Sequence, residues 1–149
     1  MRLVPRAEPR PGKAYFESFR KIVATPLDPA NTIEVVRKGV AASAVEQAVE
    51  YFDVGQKTLL GALRIPVSSF HRKLAGNETL SPGDSEKVVR LGEITRRAEE
   101  TFGGPKAAKE WLTTKNLALG ATPISLIDTE AGAAQIRRVL GAIDYGSAL

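Results

Sequence analysis

The chain has 149 residues, 43% of them hydrophobic, and a formal net charge of +4 at pH 7. This size and composition fit one globular domain or two small ones. The absence of cysteine excludes disulfides, thiolate metal sites and cysteine nucleophiles. No apolar run is long enough to predict a membrane span, and the basic N-terminus lacks the apolar segment of a signal peptide. We therefore expect a cytoplasmic protein with no membrane association.

The positive charge is unevenly distributed along the chain. Residues 1–38 carry 8 Lys and Arg against 4 Asp and Glu, residues 39–104 carry 8 against 9, and residues 105–149 carry 5 against 4. Between Asp53 and Glu78 there is no acidic residue but there are four cations, at positions 57, 64, 72 and 73. A basic arm and a basic window favour a polyanionic partner, although solvated charge is the more common reason for either feature alone.

The N-terminal third predicts an arm followed by three helices. Residues 1–14 contain prolines and arginines without an apolar period and predict an extended basic arm. Residues 15–24 have helical apolar spacing. Asn31 is predicted to cap a helix that ends at Gly39, although the β-branched residues within it also permit a strand. Ser43 and Glu46 have capping-box spacing and predict a helix that continues to Phe52.

The remaining elements are also predicted to be helical. Ser81 and Pro82 are an N-cap and a first-turn proline, and they open a long helix to about residue 102. The other predicted segments are residues 56–63, 67–75 and 106–113, a single turn at Thr122-Pro123, and a last helix from Thr129 to about residue 143. The fold class is all-α: a helix-turn-helix domain over residues 15–102, then a small helical domain over residues 103–149, linked by the long helix.

Residues 56–75 have the pattern of a helix-turn-helix, two short helices joined by a tight turn. In the second helix, Phe70, Leu74 and Val67 are expected to face the core. The opposite face then carries short hydroxyls and cations, which suit contact with phosphates and guanine edges. The predicted DNA contacts are Lys57, Ser68, Ser69, His71, Arg72 and Lys73.

A structural helical hairpin with solvated cations is the alternative reading of residues 56–75. Arg64 also departs from the motif, because it stands at the turn position where glycine usually supplies a left-handed conformation. Both readings stay open on the pattern alone.

Residues 103–146 resemble the C-terminal toxin-binding domain of Xre-type antitoxins from RES–Xre toxin–antitoxin operons. Residues 63–91 resemble the Xre-like helix-turn-helix that precedes that domain, and together the resemblance covers about residues 33–149. Its C-terminal part depends on these pieces, in order: Ala108 with Trp111-Leu112, Asn116 with Leu119-Gly120, Thr122-Pro123 with Leu126, Asp128-Thr129-Glu130 with Gly132, and Val139-Leu140 ending in Tyr145-Gly146.

The resemblance implies an antitoxin that neutralises a cognate RES-domain toxin which depletes NAD. It implies that the C-terminal domain covers the active-site entrance of the toxin and that the helix-turn-helix binds operator DNA in the operon's own promoter. We expect a homodimer, with Phe16 and Phe19 as candidate interface residues, and a higher-order toxin–antitoxin complex. The predicted toxin-binding residues are Asn116, Leu119, Thr122, Asp144, Tyr145, Gly146 and Leu149.

The C-terminal tail is predicted to contact the toxin for a chemical reason. A cleft that binds NAD should be lined by cations and amide donors, and Asp144, Tyr145 and the carboxylate of Leu149 offer anions and a flat ring. Gly146 is expected to let the chain turn out of the last helix. A frayed terminus without a partner is the alternative.

Two rival classes are an enzyme and a stand-alone transcriptional regulator with a C-terminal ligand or partner domain. His71 is the only histidine, and Ser69 stands two positions before it on a helix, where side chains do not face each other. Neither a histidine pair for zinc nor a glycine-rich phosphate loop occurs. We therefore expect no catalytic activity, no metal and no cofactor.

Overall fold

A computed structural model describes residues 16 and 18–147, which form eight α-helices and one 3-10 turn. The helices are α1 (Phe19–Ala24), α2 (Pro29–Lys38), α3 (Ala42–Phe52), α4 (Gln56–Leu63), α5 (Val67–Ala75), α6 (Pro82–Phe102), α7 (Pro105–Thr113) and α8 (Glu130–Ser147). The 3-10 turn is Pro123–Leu126, between α7 and α8. The predicted basic arm lies outside the described residues. The all-α prediction is confirmed.

Helices α4, α5 and α6 begin and end where the sequence predicts. Ser81 caps α6 by accepting a hydrogen bond from the backbone amide of Asp84 at 3.2 Å. Residues 29–38 form a helix, so the strand alternative for them is wrong. Its N-cap is Asp28, which accepts from the Asn31 amide at 2.7 Å, and Pro29 starts the first turn.

The predicted capping box at Ser43 and Glu46 is wrong. Helix α3 begins at Ala42, so Ser43 lies inside its first turn, and Ala41 is an N-cap without a side-chain bond. A long-range backbone contact replaces the cap, because the Ala42 amide donates to the carbonyl of Glu78 at 3.1 Å. In α1, Ser18 is the N-cap and the helix starts at Phe19, four residues later than the apolar spacing predicted.

Helix α6 is the centre of the fold and packs against α1, α2, α4, α7 and α8. Its inward side chains Val88, Leu91, Ile94 and Ala98 are fully buried, as the helical spacing predicts. Gly92 lies against Ile22 of α1, where any larger residue would overlap that side chain. Charged side chains on the rest of α6, Arg90 and Glu93 among them, pair with residues of α8.

Helix α8 runs in the same direction as α6. Three contacts show this order: Arg90 with Glu130, Glu93 with Arg137, and Arg97 close to Gly141. Successive positions along α8 therefore meet successive positions along α6, and the C-terminal end of α8 lies near the C-terminal end of α6. Helix α7, after the Gly103-Gly104 corner, packs back along α6.

The two phenylalanines predicted as dimer contacts are instead core residues. Phe16 is 4% exposed and Phe19 is 1% exposed, and Phe19 packs edge-on against Tyr51 with ring centroids 5.7 Å apart. Side chains that fill the core of one chain cannot also fill an interface. Phe16 and Phe19 are therefore not available for a homodimer contact, and the homodimer itself stays a prediction.

The last helix is longer than the sequence predicts. Helix α8 continues to Ser147, so the expected turn out of the helix at Gly146 does not occur. Thr129 precedes α8 as predicted, and its Oγ1 accepts a hydrogen bond from the Gly132 amide at 3.0 Å. Asp144 and Tyr145 are thus presented by a helix and not by an irregular tail.

No helix in the described part of the chain is both long and apolar enough to cross a lipid bilayer.

Gly132 should be indispensable for stability, because a Cβ atom there would overlap the carbonyl oxygen of Leu126. We predict that Gly132→Ala lowers the free energy of unfolding by roughly 1–3 kcal/mol, since a backbone carbonyl cannot move aside as a side chain can. The control is Gly141→Ala in the same helix, where the added atom would meet only the end of the Arg97 side chain. It should be neutral or stabilising by up to about 1 kcal/mol. Equal urea midpoints for the two variants would contradict this account.

Candidate functional site

Helices α4 and α5 form the predicted helix-turn-helix, and their inward side chains are buried in the core. The side chains that hold it together are all between 0% and 3% exposed: Leu59, Leu60, Leu63, Ile65 and Phe70. The helices are short, so packing and not intrinsic helix propensity must stabilise them. The motif is therefore a fixed part of the fold and not an appended hairpin.

The turn between α4 and α5 depends on Arg64, which adopts the left-handed conformation with φ +54°. The amide of Ile65 donates to the carbonyl of Leu60 at 2.9 Å, which closes the end of α4 in the manner usual for a glycine cap. A non-glycine residue in this conformation costs about 1 kcal/mol or more. Lys87 of α6 offsets part of this cost by donating to the carbonyl of Arg64 at 3.1 Å.

One face of α5 is turned to solvent, and it carries most of the predicted DNA contacts. Ser68, His71 and Arg72 are exposed, as is Lys57 at the start of α4, while Ser69 and Lys73 are partly buried beside this face. The structure thus places the five predicted residues of α5 on or beside its solvent face, and the contact of His71 with Gln56 brings the start of α4, where Lys57 lies, next to that face.

Val67 was predicted to face the core, and this prediction is wrong. Its side chain is 37% exposed, whereas Phe70 is fully buried and Leu74 partly buried. Val67 therefore belongs to the solvent-facing stripe of α5 together with Ser68, His71, Arg72 and Ala75, at positions i, i+1, i+4, i+5 and i+8.

A side-chain hydrogen bond links the two helices of the motif across this face. The Nε2 atom of His71 lies 2.7 Å from Oε1 of Gln56, at the first position of α4. An amide oxygen can only accept, so the imidazole donates. The bond fixes the orientation of His71 on the exposed face, and Gln56 was not among the predicted site residues.

A short segment, residues 127–130, joins the C-terminal unit to the helix-turn-helix; we call it the joint segment. Arg90 of α6 is only 8% exposed and donates to the carbonyl of Ile127 at 3.0 Å and to Glu130 at 3.1 Å. It also donates to Glu86 at 3.3 Å. A buried guanidinium is tolerated only when it is paired in this way.

Glu130 is shared between two arginines. Arg137 of α8 donates to it and also makes two hydrogen bonds to Glu93 of α6, at 2.8 and 3.0 Å. The hydrogen bond from Arg137 is the main reason that the pKa of Glu130 lies below its ordinary value of 4.5, with Arg90 adding to the effect. The same two carboxylates raise the pKa of Arg137.

The joint segment also reaches the turn of the helix-turn-helix directly. The Nε atom of Arg64 lies 3.2 Å from Oδ2 of Asp128, whose side chain is only 15% exposed. The 3-10 turn that precedes Asp128 packs against α4. Asp128 therefore pairs with the same arginine that gives the turn its unusual conformation, although the Arg64 side chain itself is 79% exposed. Sequence patterns gave no sign of this pair.

The second candidate surface is a closed turn after α7. The amides of Leu119 and Gly120 donate to the side chain and the carbonyl of Asn116, and the Asn116 amide donates to the carbonyl of Ala121 at 3.0 Å. These bonds hold Leu117 at the tip, where its side chain is 96% exposed. Of the predicted toxin-binding residues here, Asn116, Leu119 and Thr122 are only partly exposed. Leu117, which was not predicted, is the side chain most available to a partner.

The third candidate surface is the C-terminal end of α8. Asp144, Tyr145 and Gly146 are exposed, and the Tyr145 side chain is 71% exposed. Leu149, the other predicted tail contact, lies outside the described residues. The direction of α8 places Tyr145 near the end of α6 that is remote from Arg64 and Lys87.

These features define the class of protein: a helix-turn-helix module joined rigidly to a helical unit with its own exposed apolar side chains. Residues 32–92 match the family described as the antitoxin Xre-like helix-turn-helix domain. Residues 97–146 match the antitoxin Xre/MbcA/ParS C-terminal toxin-binding domain. The chain belongs to the Xre antitoxin family, as the resemblance predicted.

Curated relatives agree with this assignment. The chain is 33% identical over 129 residues to the Prs ADP-ribosylating antitoxin of a Sphingobium species, which covers 80% of this chain and 81% of the relative. It is 25% identical over 114 residues to an antitoxin Xre of Photorhabdus laumondii, covering 75% and 77%. It is 26% identical over 116 residues to an antitoxin Xre of Yersinia enterocolitica, covering 76% and 78%.

The run Asp128-Thr129-Glu130 with Gly132, part of the resemblance to the family, has a structural explanation. Asp128 pairs with the turn arginine, Thr129 caps α8, and Glu130 binds two arginines. Gly132 allows α8 to approach the carbonyl of Leu126. In this chain the run builds the joint between the two units.

The lowered pKa of Glu130 predicts a pH-dependent stability. A carboxylate whose pKa falls on folding stabilises the native state above its ordinary pKa and loses that effect as the pH falls through the lowered value. We predict that wild type is more stable than Glu130→Gln above about pH 5.5 and that the difference shrinks below about pH 4.5. Urea unfolding at a series of pH values measures it.

The matched control is Glu46→Gln, because Glu46 is exposed and has no ion-pair partner within residues 16 and 18–147. Glu46→Gln should leave the free energy of unfolding close to that of wild type. A constant difference between wild type and Glu130→Gln throughout the range would show that the arginine pairs do not stabilise the folded state.

Proposed function

We propose that this antitoxin binds a RES-domain toxin encoded beside it, blocks the toxin's active site with its C-terminal unit, and represses its own operon through the helix-turn-helix. The division is an arm over residues 1–14, a DNA-binding domain over residues 15–102 and a toxin-binding domain over residues 103–149. In this proposal it acts in the cytoplasm by binding and not by catalysis.

The observation that carries the toxin-binding proposal is the exposure of Leu117 and Tyr145. Both lie in the part of the chain that matches a toxin-binding domain, and both are large side chains that water solvates poorly. One is held by a closed turn and the other by α8, so neither needs to be ordered on binding. Preorganised, exposed apolar side chains are what a protein interface uses as anchors.

Chemistry favours the α8 end as the part that blocks the active site. The cleft of an NAD-consuming enzyme must bind a pyrophosphate and flat rings, so cations and amide donors should line it. Asp144 supplies an anion beside the ring of Tyr145 on the last turns of α8. Leu117 then serves as a second, apolar anchor on the toxin surface.

The name of the Sphingobium relative bears on the reaction of the toxin. That protein is an antitoxin connected by its name with ADP-ribosylation of Prs. ADP-ribosyl transfer and simple NAD depletion both cleave NAD and release nicotinamide, but only transfer leaves ADP-ribose on a protein. We propose an NAD-consuming toxin, and assaying both products decides between the two reactions.

Loss of either anchor should weaken toxin inhibition. We predict that Tyr145→Ala and Leu117→Ala each reduce the affinity for the toxin about thirtyfold, because losing one buried anchor costs about 2 kcal/mol or more. The measurement is nicotinamide release by the purified RES toxin at increasing antitoxin concentration. Ile33→Ala is the control, since Ile33 is a 51% exposed hydrophobic residue of α2, outside the toxin-binding match.

The three variants should have the same helical circular dichroism as wild type, since all three side chains are exposed. Inhibition unchanged in both Tyr145→Ala and Leu117→Ala would refute the proposed contact surface. Failure of wild type to co-purify with the neighbouring RES protein would refute the toxin assignment itself.

For the DNA function, we propose that two copies bind two half-sites of the operator, since one short recognition helix offers little contact area. The buried Phe16 and Phe19 do not take part in the dimer contact. Sedimentation equilibrium with and without the toxin reports the stoichiometry of the dimer and of the larger toxin–antitoxin complex.

Arg72 should be central to operator binding. We predict that Arg72→Ala costs roughly 1–3 kcal/mol and relaxes the preference at one base position if the guanidinium binds a guanine edge. If Arg72 contacts only phosphate, the variant should lose affinity equally for all DNA sequences. The slope of log affinity against log salt concentration should then fall in magnitude by about 1. Operator affinity equal to wild type would support the alternative of a structural helical hairpin. Toxin inhibition should stay intact, because Arg72 does not hold the core.

The alternative of a stand-alone regulator needs a ligand cavity. A groove of about 600 Å³ lies between α1, α3 and the α6–α7 corner. Its lining mixes Arg20 and Arg96 with Glu99 and Glu100, and Tyr51 donates to Glu99 at 2.7 Å. Burial, and then this hydrogen bond, raise the pKa of Tyr51. Opposite charges that neutralise each other select no class of ligand, so toxin binding is the better-supported function.

A further inference from the structure

We propose that Val67 reads the 5-methyl group of a thymine in the operator, next to bases contacted by Ser68 and by His71 held by Gln56. This inference rests on the proposed DNA-binding function and deepens it. It assigns a sequence preference to one side chain that sequence patterns place in the core.

The first observation is the position of Val67. It is the first residue of α5, and residues near the N-terminus of a recognition helix are the ones that approach base edges. Its side chain is 37% exposed, although the next turn of the same helix is anchored by the fully buried Phe70. Covering the exposed part of this side chain with a partner would add hydrophobic stabilisation that the isolated chain lacks.

The second observation is the composition of the exposed stripe. Val67 lies beside Ser68 and one turn before His71 and Arg72, all on the solvent side of α5. It is the one large apolar member of a stripe otherwise made of polar, charged or small side chains. A partner that fits this stripe must offer hydrogen-bonding groups and phosphates with an isolated apolar spot between them.

The major groove of DNA has that chemistry. Each base edge presents donors and acceptors, and the only apolar group among them is the 5-methyl of thymine. The valine, set among hydroxyls and cations that suit phosphates and base edges, therefore points to a thymine methyl.

Two features make the contact selective. Valine is β-branched and in a helix keeps essentially one χ1 rotamer, so its methyl groups have fixed positions. The hydrogen bond of 2.7 Å between His71 and Gln56 fixes the neighbouring polar group relative to them. The apolar spot and the adjacent hydrogen-bonding group are thus held in fixed positions relative to each other.

The test starts with selection of duplexes from a random DNA pool by the full wild-type chain. Each thymine of the selected duplex is then replaced by deoxyuridine, which removes the methyl group and nothing else. We predict that one replacement per half-site weakens wild-type binding about fourfold, the effect of one apolar group losing its contact. All other replacements should have little effect.

The matching protein variants are Val67→Ser, which carries no methyl group at the γ position, and Val67→Ala, which removes both γ-methyl groups. Both should bind the thymine duplex about fourfold more weakly than wild type and should no longer distinguish it from the deoxyuridine duplex. Circular dichroism and unchanged toxin inhibition confirm that the variants fold. Gln56→Ala should weaken binding without removing the sensitivity to the thymine methyl.

Three results would overturn the inference in different ways. A wild-type chain that enriches a sequence but is insensitive to every deoxyuridine replacement refutes the role of Val67 and leaves operator binding intact. A chain that enriches no sequence at all refutes sequence-specific DNA binding, and the inference falls with the proposed function. Variants that still distinguish thymine from deoxyuridine assign the methyl contact to another side chain and also refute it.

Discussion

The architecture depends on the buried guanidinium of Arg90. It stands on α6, the helix that both units share, and binds the backbone of Ile127 and the carboxylate of Glu130. Removing one partner of a buried ion pair costs about 3–5 kcal/mol, because the remaining charge has no solvent to compensate it. The joint segment is therefore held in one position, and the ion pair of Arg64 with Asp128 connects it to the turn of the helix-turn-helix.

A fixed joint has a consequence for function. Helix α6 has 21 residues, which corresponds to a length of about 30 Å. The helix-turn-helix is attached near its N-terminal end through Lys87, and the parallel course of α8 carries Tyr145 to the other end. The proposed DNA face and the proposed active-site plug are thus separated by the length of one helix within a single folded body. This separation predicts that binding at one face leaves the other open.

The sequence predicted much of this fold because local signals are strong where they occur. Ser81, Pro82 and Gly103 delimit α6, and the apolar period of 3.6 residues identified its buried face correctly. Long-range pairs such as Arg64 with Asp128 leave no local pattern and were missed. Val67 was wrongly predicted to face the core, because helical spacing gives the direction of a side chain around the helix axis but not whether another element covers it. A lone Gly146 did not end α8, because one glycine costs a helix only about 1 kcal/mol.

The central claim is that one rigid body presents two separate binding faces, one for DNA and one for toxin. Native mass spectrometry of the full chain mixed with its neighbouring RES toxin and a selected operator duplex tests it most directly. The account predicts a complex that contains all three components. If the toxin and the duplex instead displace each other, so that only the two binary complexes are observed, the two faces are not separate and the account is contradicted.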